Sequence, residues 1–320
     1  MSTPKNSNPI VENVRAVFDA IPAKGKKYKQ KGYCHVGTTV QSHVQGMALY
    51  SNQFGDFIIL THNNKGYSKG KFITMHVGHD STNCHDTPYE HYNHPGGMQV
   101  IGDFVAVALE NSSYDSGYVL FYSLFNMTDK REPTLLNTQI RRESKGSGAA
   151  GITYINGTFI VGVTDSGELD VYLSNSVPSL DDPNIKWSGP LSIKGLKGGD
   201  NIALASDSLG NVYLFGFRTE DLGGSNKDYI DLYKVDLSSL TLDHIESRHM
   251  YTKGGALGAL GVHFRYGAGI QIIDSATINL CASERNFEWE GPGPTAFCIY
   301  YNKFEKGNGE AEGVDEIDEN

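Results

Sequence analysis

Histidine is concentrated at one end of this 320-residue chain: His35, His43, His62, His76, His79, His85, His91 and His94 account for eight of its 11. Neutral imidazole ligates zinc, copper or iron, and it exchanges protons near neutral pH. Two stretches place such groups at the ends of short apolar runs. HPGGMQVIGDFVAVALEN starts at His94 and runs through Glu110, and HVQGMALYSNQFGDFIILTHN starts at His43 and runs through His62 and Asn63. The Gly-Asp in FGDF and IGDF reads as turn chemistry, which makes each stretch a hairpin. The two ends of an antiparallel hairpin are neighbours, so His94 is expected beside Glu110, and His43 beside His62.

The same unit recurs. GAAGITYINGTFIVGVTD starts at Gly148, GGDNIALASDSLGNVYLFGFR at Gly198 and YGAGIQIIDSATINLCASER at Tyr266. A third apolar run follows each hairpin: GKFITMHV, GYVLFYSL, GELDVYLS, DYIDLYKV and TAFCIYYN. In three units TLLNTQIR, IKWSGPLSI and HIESRHMY supply a fourth. Strands of this length joined by Gly, Asn and Asp turns make antiparallel meanders, and four-stranded meanders repeated at this period make blades.

The chain therefore resembles five-bladed β-propellers over residues 32–304. The fold class expected is all-β, with four-stranded antiparallel blades, a 1–31 N-terminal extension carrying a short helix, and a disordered acidic tail over 305–320. The last unit lacks an outer strand, and GYCHVGTTV, Gly32 to Val40, is expected to supply it and close the ring. Two sandwiches or an irregular six-bladed ring are the alternatives. Val11, Val14, Val17, Phe18 and Ile21 recur at helical spacing after Asn8-Pro9, which reads as N-cap and first turn. The basic run KGKKYKQK, from Lys24 to Lys31, reads as a solvated linker.

A propeller would gather the strand ends at a common mouth. The first strands begin with His43, His94, Gly148, Gly198 and Tyr266, with Asp200 and His263 nearby. The second strands end with His62 or Asn63, Glu110, Asp165, Arg218, and Glu284 with Arg285. The residue types differ from blade to blade, as a single composite site requires. His43, His94, Glu110, Asp165 and Arg218 are the expected catalytic set, with imidazole as general acid or base and Arg218 stabilising developing negative charge. His62, Asn63, Tyr266, His263, Glu284 and Arg285 are expected to bind the ligand.

Two or three histidines with one carboxylate also suit a divalent transition metal, zinc or iron, and His43, His62 and His94 are its candidate ligands. Cys84, His85 and His91 are a second candidate set, for structural zinc. Alternatively Glu110, Asp165 and Glu284 act as paired carboxylates. In that case the chain resembles five-bladed glycosidases of the arabinanase and invertase type, which place three acids around the axis. His43 stands where those enzymes carry an aspartate.

The expected function is hydrolase- or lyase-type chemistry on a small polar molecule or carbohydrate. Its alternatives are a carbohydrate-binding propeller, which resembles tachylectin-type lectins, and a scaffold for another protein. Only two tryptophans are present and no aromatic motif repeats once per blade, nor is there a WD signature. The formal net charge of -10 argues against a nucleic-acid partner. No GxxxxGK[ST], GxSxG or dinucleotide fingerprint occurs in a strand-to-helix context. KGSGAAG, Lys145 to Gly151, reads as close packing near the axis, with Ser147 as a further hydrogen-bonding group. Cys34, Cys84, Cys281 and Cys298 form no tight pair. With no apolar leader in MSTPKNSNP and no run long enough to span a bilayer, they suggest free thiols in a soluble, cytoplasmic protein without a membrane partner.

Overall fold

The computed structural model describes residues 8–37, 41–165, 167–221, 226–252, 261–289 and 296–305. A single helical turn and a half, α1 (Val14–Asp19), precedes strand β1 (Lys26–Tyr33). Four meanders follow. Blade one holds β2 (Val44–Asn52), β3 (Gly55–His62), β4 (Lys71–His76) and β5 (Thr82–Asp86). Blade two holds β6 (His94–Ile101), β7 (Phe104–Glu110), β8 (Ser116–Ser123) and β9 (Thr134–Glu143). Blade three holds β10 (Ala149–Ile155), β11 (Thr158–Asp165), β12 (Glu168–Ser174) and β13 (Trp187–Lys194). Blade four holds β14 (Asn201–Ser206), β15 (Val212–Asp221), β16 (Asn226–Asp236) and β17 (Thr241–Met250). Blade five holds β18 (Ala268–Asp274), β19 (Thr277–Ser283), the short β20 (Glu288–Trp289) and β21 (Ala296–Phe304), and its outer strand is β1.

The ring closes. Each first strand packs on the next, β2 on β6, β6 on β10, β10 on β14, β14 on β18 and β18 back on β2. Each junction between blades has its own apolar core. Alternation along a strand explains this, because successive side chains point to opposite faces and every sheet is covered on both. In blade one, Ile59 packs towards blade two while Ile58 and Leu60 pack towards blade five. The fold is a five-bladed all-β propeller.

Closure uses a different segment from the one expected. Lys26 to Tyr33 pairs antiparallel with β21, from Lys26 opposite Lys303 to Tyr33 opposite Ala296. The basic run is thus mostly an edge strand whose lysines face solvent or lie over Tyr28 and Tyr300. Cys34 to Gly37 is not strand, and 38–40 lie outside the described residues, as does the acidic tail from 306 on. The helix is also shorter than its apolar spacing implied. Its N-cap is Asn13, which accepts a 3.0 Å hydrogen bond from the Ala16 amide. Asn8 instead clamps the first turn of blade two, donating to Val100 O and accepting from Gly102 N.

Two of the four cysteines are not free: Cys34 and Cys84 form a disulfide that ties the end of β1 to β5. That bond removes Cys84 from any structural zinc site and removes the free-thiol premise of a reducing compartment. Cys281 and Cys298 are buried and lie outside that disulfide. Among the described residues no helix is long and apolar enough to cross a membrane.

The axis is narrow because the inner strands meet backbone to backbone. A Cβ on Gly96 would lie 1.9 Å from Gly148 O, and one on Gly269 would lie 2.7 Å from Met47 O. Gln99 fills the centre. Its amide nitrogen donates to Leu204 O, and its oxygen accepts from the Ile152 and Leu204 amides, at 2.7 Å each. One buried side chain thereby joins blades two, three and four.

Candidate active site at the axial mouth

The antiparallel pairing brings the hairpin ends together on one face. His94 pairs with Glu110 in register, and the Asn63 amide donates to His43 O at 2.9 Å. These ends open into a cavity of about 310 Å³ lined by Gln41, His43, Asn63, Lys65, Asn93, His94, Ser112, Tyr114 and Arg285. The lining comes from blades one and two and from the loop after β19 in blade five.

Glu110 lies behind His94, 5% exposed. Its Oε1 accepts from His94 Nδ1 at 2.7 Å, and its Oε2 accepts from the Ser147 amide at 2.8 Å. A buried carboxylate is tolerated only when its oxygens are satisfied, and both are. The approach requires glycine at 146, where a Cβ would stand 2.4 Å from Glu110 Oε2. KGSGAAG therefore packs closely, as its composition suggested, and what Ser147 contributes here is its amide.

In a neutral His94 ring whose Nδ1 donates to Glu110, Nε2 is the acceptor. His43 has the same tautomer, since its Nδ1 donates to Gln41 O at 3.0 Å. Gln45 stands between the two rings, and its Nε2 lies 2.8 Å from His43 Nε2 and 2.8 Å from His94 Nε2. One amide NH₂ thus donates a hydrogen bond to each imidazole. The His43 pKa is pushed down to about 4, first by burial and then by the Arg285 charge. It is neutral at pH 7.

The other expected residues are distributed unevenly. Asn63 and Arg285 line the cavity. Tyr266 sits behind His43, edge to face at 5.8 Å, with the Arg265 and Arg285 guanidinium groups 5.9 and 5.5 Å from its ring centre. His62 is buried and stacked on Phe287 at 5.0 Å, and burial pushes its pKa down to about 3, with His43 adding to the effect. Its ring therefore faces the blade one to blade five core, whereas Gln45 separates His43 from His94, and the three rings do not converge on one point. His263 is held by Asp228 at 3.1 Å and Asn226 at 3.2 Å. Glu284 is buried, its amide donating to Tyr300 O. Asp165 ends β11 opposite Glu168, Gly198 and Asp200 lie on the connection from β13 to β14, and none of these lines the cavity.

Arg218 is also elsewhere, for a reason of register. Thr61 and Thr164 reach the start of the next blade through their hydroxyls, to Gly96 O at 2.7 Å and Gly199 O at 3.0 Å. In blade four the residue that touches the next blade is Thr219, which accepts from the Arg265 amide at 3.0 Å. Glu220, not Arg218, is the counterpart of His62 and Asp165. Arg218 instead pairs with Asp231 at 2.7 Å and with Glu220, and it covers the Tyr229 ring.

Sequence reasoning missed Gln45, Lys65, Asn93 and Tyr114. Gln45 is the extra residue of a β-bulge between Val44 and Gly46, and Gly96 and Gly97 form a second irregularity between Pro95 and Met98. Bulges re-aim side chains, and a two-residue alternation does not reveal them. In the second metal set, His85 faces Glu132 at 3.5 Å, and His91 is exposed with φ 70.

No family model matches the chain, and no curated protein matches it. Among solved structures, the chain aligns with the α-L-arabinofuranosidase of Podospora anserina crystallised with cellotriose. The alignment has 8% identity and TM-score 0.48, and it covers 89% of this chain and 98% of that one. Similarity at that level bears on neither substrate nor reaction.

Proposed function

We propose that the mouth between blades one, two and five is a single composite site for a small, hydroxylated and negatively charged molecule. In this reading His94 acts as general acid or base in hydrolase- or lyase-type chemistry. The carrying observation is the Glu110–His94–Gln45–His43 chain of hydrogen bonds at 2.7, 2.8 and 2.8 Å beside a cavity of small-molecule size. A ligand hydroxyl or a water molecule takes the place of the Gln45 amide at His94 Nε2 and gives up its proton there. Glu110 is a positioning residue, fixing the tautomer and stabilising the imidazolium that forms. His43 stays neutral and accepts a second hydroxyl, and Lys65 and Arg285 balance negative charge on the ligand.

A second reading is binding without turnover. The observation favouring it is Tyr114, which is 57% exposed at the rim and set edge-on to His94 at 5.3 Å, an aromatic surface beside hydrogen-bonding groups of the kind sugars stack on.

The experiment is a panel of neutral glycosides, sugar acids and sugar phosphates assayed for both turnover and thermal stabilisation. Turnover lost in His94→Ala with binding retained supports the catalytic reading. Stabilisation without turnover by the wild-type protein supports the second. Neither effect with any member, or effects indifferent to His94→Ala, sinks both.

A further inference from the structure

On the face opposite the mouth, β4 ends in the turn His76-Val77-Gly78-His79, closed by a 3.1 Å hydrogen bond from the His79 amide to His76 O. Gly78 has φ 77, the left-handed conformation that the third position of such a turn requires. The turn is braced from outside. The buried Gln30 of β1 donates to His79 O at 2.7 Å and accepts from the Gly78 amide at 3.0 Å, and the Val77 amide donates to Asp56 O at 2.8 Å. Fixed in this way, the two imidazoles lie face to face, 4.0 Å apart and 13° from parallel. Phe57 backs His76 at 4.7 Å.

A carboxylate from blade two completes the group. Asp129 lies in the connection after β8, where the Thr128 hydroxyl accepts from the Lys130 and Arg131 amides, and its Oδ1 is 2.5 Å from His76 Nδ1. One donor atom from each of His76, His79 and Asp129 falls within 4.8 Å of the others. Donors on one tetrahedral zinc ion stand about 3.3 Å apart, from zinc–nitrogen bonds of about 2.0–2.1 Å, so a small rotation of exposed side chains closes the set.

We propose that His76, His79 and Asp129 form a binding site for a divalent transition metal ion, across the rim where blades one and two meet. Two imidazoles and one carboxylate are the donors that zinc, nickel and copper take, and three protein ligands leave a position open to solvent. The cation would take the place of the hydrogen shared between His76 Nδ1 and Asp129 Oδ1. It would also staple the blade-one turn to the connection after β8 in blade two, so binding is linked to stability. His76 is 12% exposed and Asp129 37%, which leaves the site open to solvent ions.

The test is calorimetric titration of the tag-free full chain, first dialysed against chelator, with zinc chloride. The expected result is one saturable equivalent per chain and a raised unfolding midpoint, with affinity weakened by about tenfold or more in both His79→Ala and Asp129→Asn. Because both residues are exposed, the variants should unfold as the wild type does without metal, and circular dichroism checks this. His94→Ala should bind zinc as the wild type does. The proposal is overturned if zinc binding is not saturable, if it survives both substitutions, or if it is lost in His94→Ala, any of which leaves His76 and Asp129 as an ion pair alone.

Discussion

His94 and Glu110 begin and end the inner hairpin of blade two, and their side chains meet at 2.7 Å with the carboxylate on the buried side. The hairpin thus builds a fixed imidazole by pairing alone, before any other blade contributes. Blade three then supplies the Ser147 amide, and blade one supplies Gln45. Three blades hold one ring.

If the Glu110 carboxylate positions His94, Glu110→Gln should lower kcat by about 10²–10⁴ and leave KM nearly unchanged. Steady-state kinetics on a substrate found in the panel would show it. A rise in KM alone would assign Glu110 to ligand binding.

Acid should destabilise the fold through histidines buried as neutral rings. His62 and His43 titrate near 3 and 4 in the folded protein and near 6.5 when unfolded, so below pH 6.5 the unfolded chain binds more protons. Stability should fall as pH drops from 6.5 towards 4, by up to about 1.4 kcal/mol per pH unit for each ring. Urea denaturation across this range, in wild type and His62→Leu, checks the expectation: the variant should lose less stability per unit. Equal slopes would place the acid sensitivity elsewhere.

The Cys34–Cys84 bridge closes a span of 50 residues between the closing strand and blade one. Cys34→Ser should cost about 2–4 kcal/mol, and reduction of the wild type should lower the unfolding midpoint to that of the variant. A variant as stable as the wild type would mean that β1 stays docked without the bond.

Gly96→Ala should be among the most damaging single-methyl additions, since its Cβ would meet Gly148 O at 1.9 Å, a backbone atom that the adjoining blade holds in place. A loss of about 3 kcal/mol or failure to fold is expected. A well-folded variant of wild-type stability would show that the inner strands can slide apart.

The blades were legible in the sequence because each strand repeats a pattern that physics imposes, an apolar run of set length between turn residues. What failed was whatever depended on register or on partners distant in the chain. KGKKYKQK reads as linker because an edge strand needs few apolar residues when its pairing partner, here β21, supplies the hydrogen bonds. Cys34 and Cys84 showed no pairing signal at 50 residues' separation. At the mouth, His43, His94 and Glu110 were placed by hairpin pairing, a local rule. Arg218 was misplaced because blade four carries its bridging hydroxyl at Thr219, and Gln45 was overlooked because a bulge turns it towards His94.

The central claim is that two imidazoles, His43 and His94, present their Nε2 atoms to one shared mouth. Long-range proton–nitrogen NMR of the histidine rings at pH 7 tests it most directly. We expect both rings as Nδ1–H tautomers, with both Nε2 signals shifting together when a member of the ligand panel binds. Rings protonated at Nε2, or His43 and His94 signals that stay still while a ligand binds, would contradict the account.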